Sequence, residues 1–196
     1  DDQLWRTSQF DVEGTVIGFE CLNIAWVSKI NEDPGRLFFP VDRYIGRVVN
    51  NVDVRLVILH HPLNWFNQSI YRSFRMFIRQ IATIIFSGHE HQGNVGEIHE
   101  AETDKSIFVE GCTLQGKEDL SDSSFNIVIL DLNIGQFLSV RYAWNGDRYL
   151  ATKEGSWLDY HKLPSKKSNP FPLADSFQKM LDDPGAFLKH PSTTNI

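Results

Sequence analysis

The stretch that decides the fold is Val54-Arg55-Leu56-Val57-Ile58-Leu59-His60-His61-Pro62, together with its downstream counterpart Ile81-Ala82-Thr83-Ile84-Ile85-Phe86-Ser87-Gly88-His89-Glu90-His91. Each half is a short apolar run, rich in β-branched residues, that ends in histidines. Such runs predict buried strands rather than helices. Histidines leaving the carboxyl ends of neighbouring strands lie where an open α/β sheet has its ligand crevice. The two motifs therefore predict one shared site.

The segment between the two motifs predicts an amphipathic helix. Apolar residues recur there at helical spacing: Ile70, Phe74, Phe77, Ile78 and Ile81. The opposite side carries Arg72, Arg75 and Arg79. Strand, helix and strand in this order predict a crossover unit with two parallel strands. The arginines form a solvated face or contact nucleic-acid phosphates, and the acidic net charge favours the first interpretation.

Toward the amino terminus, the spacing of apolar residues becomes less regular. Residues 1–13 show no convincing period, whereas residues 15–26 predict one or two strands of a buried sheet. Turn residues concentrate in residues 28–40, which predict a loop. Residues 42–49 predict a short helix with Ile45, Val48 and Val49 on its apolar side.

Beyond Gly93 the sequence predicts antiparallel β-structure. Four short apolar segments, separated by turn signals, are expected to be strands: 106–110, 125–132, 137–144 and 148–152. In the third segment, Leu138, Val140, Tyr142 and Trp144 alternate with smaller or polar residues, as in a half-buried strand. Hairpin turns are expected at Asn133-Ile134-Gly135 and Asn145-Gly146-Asp147.

The chain divides into a domain over residues 1–160 and a tail over residues 161–196. Residues 161–172 form a linker rich in Pro, Lys and Ser. A short helix is expected after it, with Leu173, Phe177, Met180 and Leu181 on one face. This tail either docks on the domain or leads to another domain beyond Ile196.

Composition excludes several classes of function. The 196 residues are 41% hydrophobic and 22% charged, as in globular proteins, and the net charge of −6 provides no general attraction for nucleic acid or anionic membrane. No apolar run approaches the roughly 18–20 residues of a membrane span. Cys21 and Cys112 are too few for a disulfide scaffold. We expect buried thiols in a reducing, cytoplasmic compartment, with one bridge between them left open.

The histidines are candidate metal ligands. In an extended segment His89 and His91 point the same way and Glu90 points the opposite way. With His60 from the neighbouring strand, three imidazoles suffice for a mononuclear zinc site that keeps an open position. A two-metal site also needs bridging carboxylates. The alternative is that His89 and His91 are turn residues that satisfy backbone groups.

These motifs resemble the last two motifs of the calcineurin-like metallophosphoesterases. The resemblance covers roughly residues 14–150 and includes the β-rich segment after the second motif. It implies an α/β sandwich of mixed β-sheets flanked by helices, with two divalent or trivalent ions (Mn, Fe or Zn). It also implies that His60 and His89 share one metal, that His91 binds the other and that His61 lines the substrate mouth. Asn64, in the same loop as His61, contacts phosphate or serves only the turn.

The first three motifs of that family, Asp-x-His, Gly-Asp-x-x-Asp and Gly-Asn-His, do not precede the two histidine motifs in this chain. We therefore expect the carboxyl half of such a domain, preceded by on the order of 100 residues or more. The expected function is metal-dependent hydrolysis of a phosphomonoester or phosphodiester by the full-length protein, with this chain inactive alone and no catalytic residue assigned in it. The alternative is a non-catalytic scaffold or partner-binding module that keeps the fold.

Overall fold

The computed structural model describes residues 2–29, 31–48, 51–89, 95–100, 103–114 and 123–160. This part of the chain is a strand-rich α/β structure with two sheets and a helix, α1 (Gln68–Ile81). The strands are β1 (Trp5–Val12), β2 (Thr15–Leu22), β3 (Val54–Leu59), β4 (Ile84–Ser87), β5 (Val95–Glu100), β6 (Thr103–Glu110), β7 (Ser124–Asp131), β8 (Gln136–Trp144), β9 (Tyr149–Glu154) and β10 (Leu158–Asp159). Short 3₁₀ turns cover Ala25–Val27, Val41–Arg43, Ile45–Arg47 and Leu63–Trp65.

The first sheet has the strand order β1-β2-β3-β4-β6-β5. Its centre is parallel, from β2 through β3 and β4 to β6, and an antiparallel strand closes each edge. The predicted unit of strand, helix and parallel strand is confirmed, because β3 and β4 are neighbours joined through α1. The helix extends to Ile81, so β4 begins at Ile84, three residues later than expected.

Both faces of this sheet are buried, which explains the continuous apolar runs of β3 and β4. One face packs against α1 through a core that includes Val57, Leu59, Phe74, Ile78 and Ile85. The other face packs against the second sheet through Val54, Leu56, Ile84, Ile107 and Phe137. The described chain therefore forms three layers, with helix, first sheet and second sheet in that order.

The second sheet is antiparallel and consists of β7, β8, β9 and β10. The predicted strand at residues 106–110 is present as β6 and runs antiparallel to β5, as expected, but it does not belong to the second sheet. It lies in the first sheet, parallel to β4, because its alternate residues Ile107 and Val109 complete the core between the two sheets.

The alternating pattern of β8 faces away from the core between the sheets. Phe137 is fully buried in that core, so alternation places the set Leu138, Val140, Tyr142 and Trp144 on the opposite face, where Val140 is also buried. On that outer face of the neighbouring β7, Ile127 and Ile129 are 43% and 45% exposed. The prediction of a strand is confirmed. The face of β8 that carries most of its large apolar side chains, however, points away from the first sheet.

The amino-terminal region differs most from the sequence-based expectations. Residues 5–12, where no period was found, form edge strand β1, and the expected strand over residues 15–26 ends at Leu22. The expected helix over residues 42–49 is replaced by two 3₁₀ turns. Val41 and Tyr44, three residues apart, are both buried, whereas Ile45 is 58% exposed. A spacing of three residues per turn suits the 3₁₀ geometry.

The cysteine prediction is wrong in part. Cys21 is exposed on β2, Cys112 is half-buried, and both are free thiols. The reducing compartment, and with it a cytoplasmic location, stays a prediction. Within the described residues no helix has the length and apolar character needed to cross a bilayer. The predicted linker and short helix of residues 161–196 lie outside the described residues.

Candidate metal centre

The site lies where β3 and β4 end side by side. His60 directly follows β3, and Gly88 and His89 directly follow β4. The Gly88 N–H donates a hydrogen bond to the His60 carbonyl oxygen over 2.8 Å, which ties the two strand ends together. Parallel pairing of β3 with β4 thus brings together two histidines that are 29 positions apart in sequence.

Three imidazole rings meet at this point: those of His60, His61 and His89. Their ring centroids are 4.3–5.3 Å apart, and one ligand nitrogen from each lies within 4.8 Å of the others. The Nδ1 atom of His89 and the Nε2 atom of His60 are separated by 3.4 Å. His60 and His89 therefore lie side by side, and the metal that they are expected to share stays a prediction. His61 also lies within the cluster, whereas Glu90 and His91 lie outside the described residues.

The donor set fits a metal cation. His61 is 1% exposed, and its Nδ1 atom has no hydrogen-bond partner in the structure. A buried polar nitrogen without a partner is costly, and a cation would satisfy it. Neutral imidazole is a good ligand for zinc and iron.

His89 adopts a left-handed backbone conformation, with φ of 71°. Residues other than glycine rarely occupy this region, and holding one there costs about 1–3 kcal/mol. The turn that results directs the ring toward its neighbours. The ring lies edge-on to Trp65, with 4.2 Å between centroids, and close to His61.

The loop after the first motif packs over the histidines. Trp65 contacts the rings of His61 and His89, whereas Phe66 is fully buried and packs on Phe74. Phe66 therefore belongs to the core rather than to the wall of the site. Asn64 is exposed in the 3₁₀ turn just before Trp65, and its contact with substrate stays a prediction.

Sequence reasoning missed Glu32. Its carboxylate oxygen Oε2 lies 2.6 Å from the Nε2 atom of buried His61. The loop that carries Glu32 is held against the site because the N–H groups of Gly35 and Leu37 both donate to the Trp65 carbonyl, over 2.9 and 3.2 Å. Asn67 returns a bond to the Leu37 carbonyl. No motif or period marks Glu32, so the sequence offered no signal for it.

The electrostatics of the site favour a neutral His60 and a charged Glu32. Desolvation, followed by the charge of His89, lowers the pKa of His60 below its usual 6.5. The Ser28 hydroxyl and the His61 ring, which both lie near the carboxylate, lower the pKa of Glu32 to about 2. At neutral pH these shifts favour an uncharged His60, the form that binds metals, and an ionised Glu32.

Comparison with known proteins does not assign a family. No protein-family model and no curated protein matches the chain. Among solved structures, a similar one is described as a "putative 5'-nucleotidase" from Staphylococcus aureus in complex with alpha-ketoglutarate, at 13% sequence identity and a TM-score of 0.37. The match covers 90% of this chain and 33% of that protein, so the chain spans about a third of its length. A likeness this weak supports no conclusion about activity.

Proposed function

We propose that the chain contributes histidine ligands to the metal centre of a phosphoesterase that hydrolyses a phosphomonoester or a phosphodiester. The observation that carries the proposal is the cluster of three imidazoles at the adjoining ends of β3 and β4, with ligand nitrogens within 4.8 Å. The order of the motifs, which resembles that of the calcineurin-like metallophosphoesterases, supports phosphate esters as the substrate class.

In this proposal His60 and His89 hold one cation. A bound cation polarises a phosphate oxygen and lowers the pKa of coordinated water. The protein holds the rings in place by the backbone bond from Gly88 to His60 and by the packing of Trp65 on His89.

A second cation would need ligands beyond the described cluster. That cluster contains imidazoles and no carboxylate ligand, whereas two-metal sites use bridging carboxylates. His91 stays the predicted ligand from this chain for the second ion. Its partner ligands, and the cation identity among Mn, Fe and Zn, belong to the proposal.

The proposal is tested in two stages. Calorimetric titration of this chain with Zn²⁺ and Mn²⁺ should show binding that His60→Ala and His89→Ala each weaken by about tenfold or more, because each variant removes one of the imidazoles that would hold the cation. His99→Ala, in edge strand β5, is the matched histidine control and should bind as the unmodified chain does.

The full-length protein should then hydrolyse p-nitrophenyl phosphate or its bis-ester only with metal present, and His89→Ala should abolish the activity. Absence of metal binding by this chain would overturn the metal centre. Metal binding without hydrolysis by the full-length protein would instead favour the non-catalytic module.

A further inference from the structure

We propose that His61 is a metal ligand through its Nδ1 atom and that Glu32 is the positioning residue that fixes its ring for this role. The proposal rests on the metal centre proposed above and adds two assignments to it. The resemblance placed His61 beside the substrate and gave Glu32 no role.

The hydrogen bonds around Glu32 determine which ring nitrogen of His61 carries a proton. An ionised carboxylate only accepts hydrogen bonds, so the 2.6 Å contact with Oε2 requires a hydrogen on Nε2 of His61. The other oxygen, Oε1, accepts from the Lys29 backbone N–H over 3.1 Å. Each carboxylate oxygen therefore accepts a hydrogen bond, and no rotation of the ionised carboxylate would give it a hydrogen to donate to Nε2 of His61.

With Nε2 protonated, a neutral His61 has a bare lone pair on Nδ1. This is the buried atom that has no hydrogen-bond partner, and the centroid of its ring lies 4.7 Å from that of His60 and 4.3 Å from that of His89. A protonated Nδ1 would bury an N–H donor without an acceptor, which is costly. A carboxylate on one ring nitrogen and a metal on the other is the usual arrangement for histidine ligands.

The position of Glu32 is rigid enough for this role. Two backbone bonds to the Trp65 carbonyl and one from Asn67 to Leu37 fasten its loop to the turn that follows His61. The Glu32 side chain is 14% exposed, so little water competes for its oxygens. Trp65 packs against the His61 ring itself, with centroids 5.6 Å apart.

The test uses Glu32→Gln in this chain, with Asp33→Asn as the matched control. A glutamine side chain has nearly the same shape but offers one acceptor oxygen to two donors, so either Lys29 or His61 loses its partner. Asp33→Asn removes the same charge from an exposed neighbour in the same loop. We expect Glu32→Gln to weaken Zn²⁺ binding by about 10–100-fold and Asp33→Asn to leave it unchanged.

A second readout separates positioning from simple loop stability. Two-bond ¹H–¹⁵N spectra of the histidine rings report which nitrogen carries the proton. In the unmodified chain His61 should be protonated on Nε2, and Zn²⁺ should shift its Nδ1 resonance. In Glu32→Gln the population protonated on Nδ1 should rise.

Equal Zn²⁺ affinity and an unchanged His61 tautomer in Glu32→Gln would overturn the role of Glu32. A Nδ1 resonance that does not respond to Zn²⁺, in a chain that does bind Zn²⁺, would overturn His61 as a ligand. Failure of the unmodified chain to bind Zn²⁺ at all would refute the metal centre itself.

Discussion

The left-handed backbone at His89 gives a prediction in which two variants both lose metal affinity but differ in stability. Replacing His89 by glycine or by alanine removes the same imidazole and the same contacts with Trp65 and His61. The two variants differ in how readily residue 89 adopts a φ of 71°, because alanine has a Cβ atom and glycine has none. His89→Gly should therefore be the more stable of the two, although both lose metal affinity.

The magnitude follows from two opposing contributions. A left-handed conformation costs a residue with a Cβ atom roughly 1–2 kcal/mol, which glycine avoids. Glycine in turn loses about 0.4–1 kcal/mol through the greater freedom of its unfolded chain. The difference leaves His89→Gly about 1 kcal/mol more stable than His89→Ala, which corresponds to about 2–4 °C in Tm for a protein of this size.

The assay is thermal and urea denaturation of both variants in the presence of a chelator, so that bound metal does not contribute. His60 supplies the control, because it is not among the described residues with positive φ. There the order should reverse, with His60→Gly less stable than His60→Ala. If His89→Ala is as stable as His89→Gly, the backbone of His89 is not strained and the reasoning fails.

Two further predictions concern parts of the fold outside the site. Asp2 accepts hydrogen bonds from the Tyr44 hydroxyl and from Arg47, over 2.7 and 2.8 Å, and the Tyr44 bond is the main cause of a pKa below its usual 3.8. Its stabilising contribution is therefore complete above about pH 4 and is lost as the pH falls through the lower folded-state pKa. Asp2→Asn should flatten the decline of the urea midpoint below pH 4, and identical profiles for the two proteins would contradict this. A Cβ atom at Gly18 would lie 2.5 Å from Val52, so Gly18→Ala should destabilise by about 1–3 kcal/mol. Val52→Ala in the same chain should recover part of that loss, and strictly additive effects in the double-mutant cycle would refute the contact.

The structure of residues 54–89 could be predicted because its two strands and its helix follow one another in the chain and each has a recognisable apolar pattern. Strands β3 and β4 are buried on both faces, so their apolar character is continuous and independent of register. Helix α1 buries one face at regular spacing. Two strands joined by one helix pair in parallel, and this alone brings His60 next to His89.

The sequence-based predictions fail at strands whose residue pattern does not show which face packs against the core. Alternation in β8 shows which side chains share a face but not which face meets the core, and the single large residue Phe137 occupies the inner position. Edge strand β1 is mostly polar, because it contributes only a few side chains to the core. Its pairing with β2 instead depends on the turn at Glu13 and Gly14, both with positive φ, which is the two-residue geometry of a hairpin.

Glu32 illustrates why a site cannot be fully predicted from its motifs. His60 and His89 are placed by strands, whose ends are fixed once the sheet forms. Glu32 is placed by hydrogen bonds between Trp65 and a loop that has no period of its own. Those bonds join backbone groups, which carry no sequence signature. The first ligands of such a site can therefore be inferred from apolar patterns, whereas the carboxylate that orients a ligand becomes visible only when the loop is folded against it.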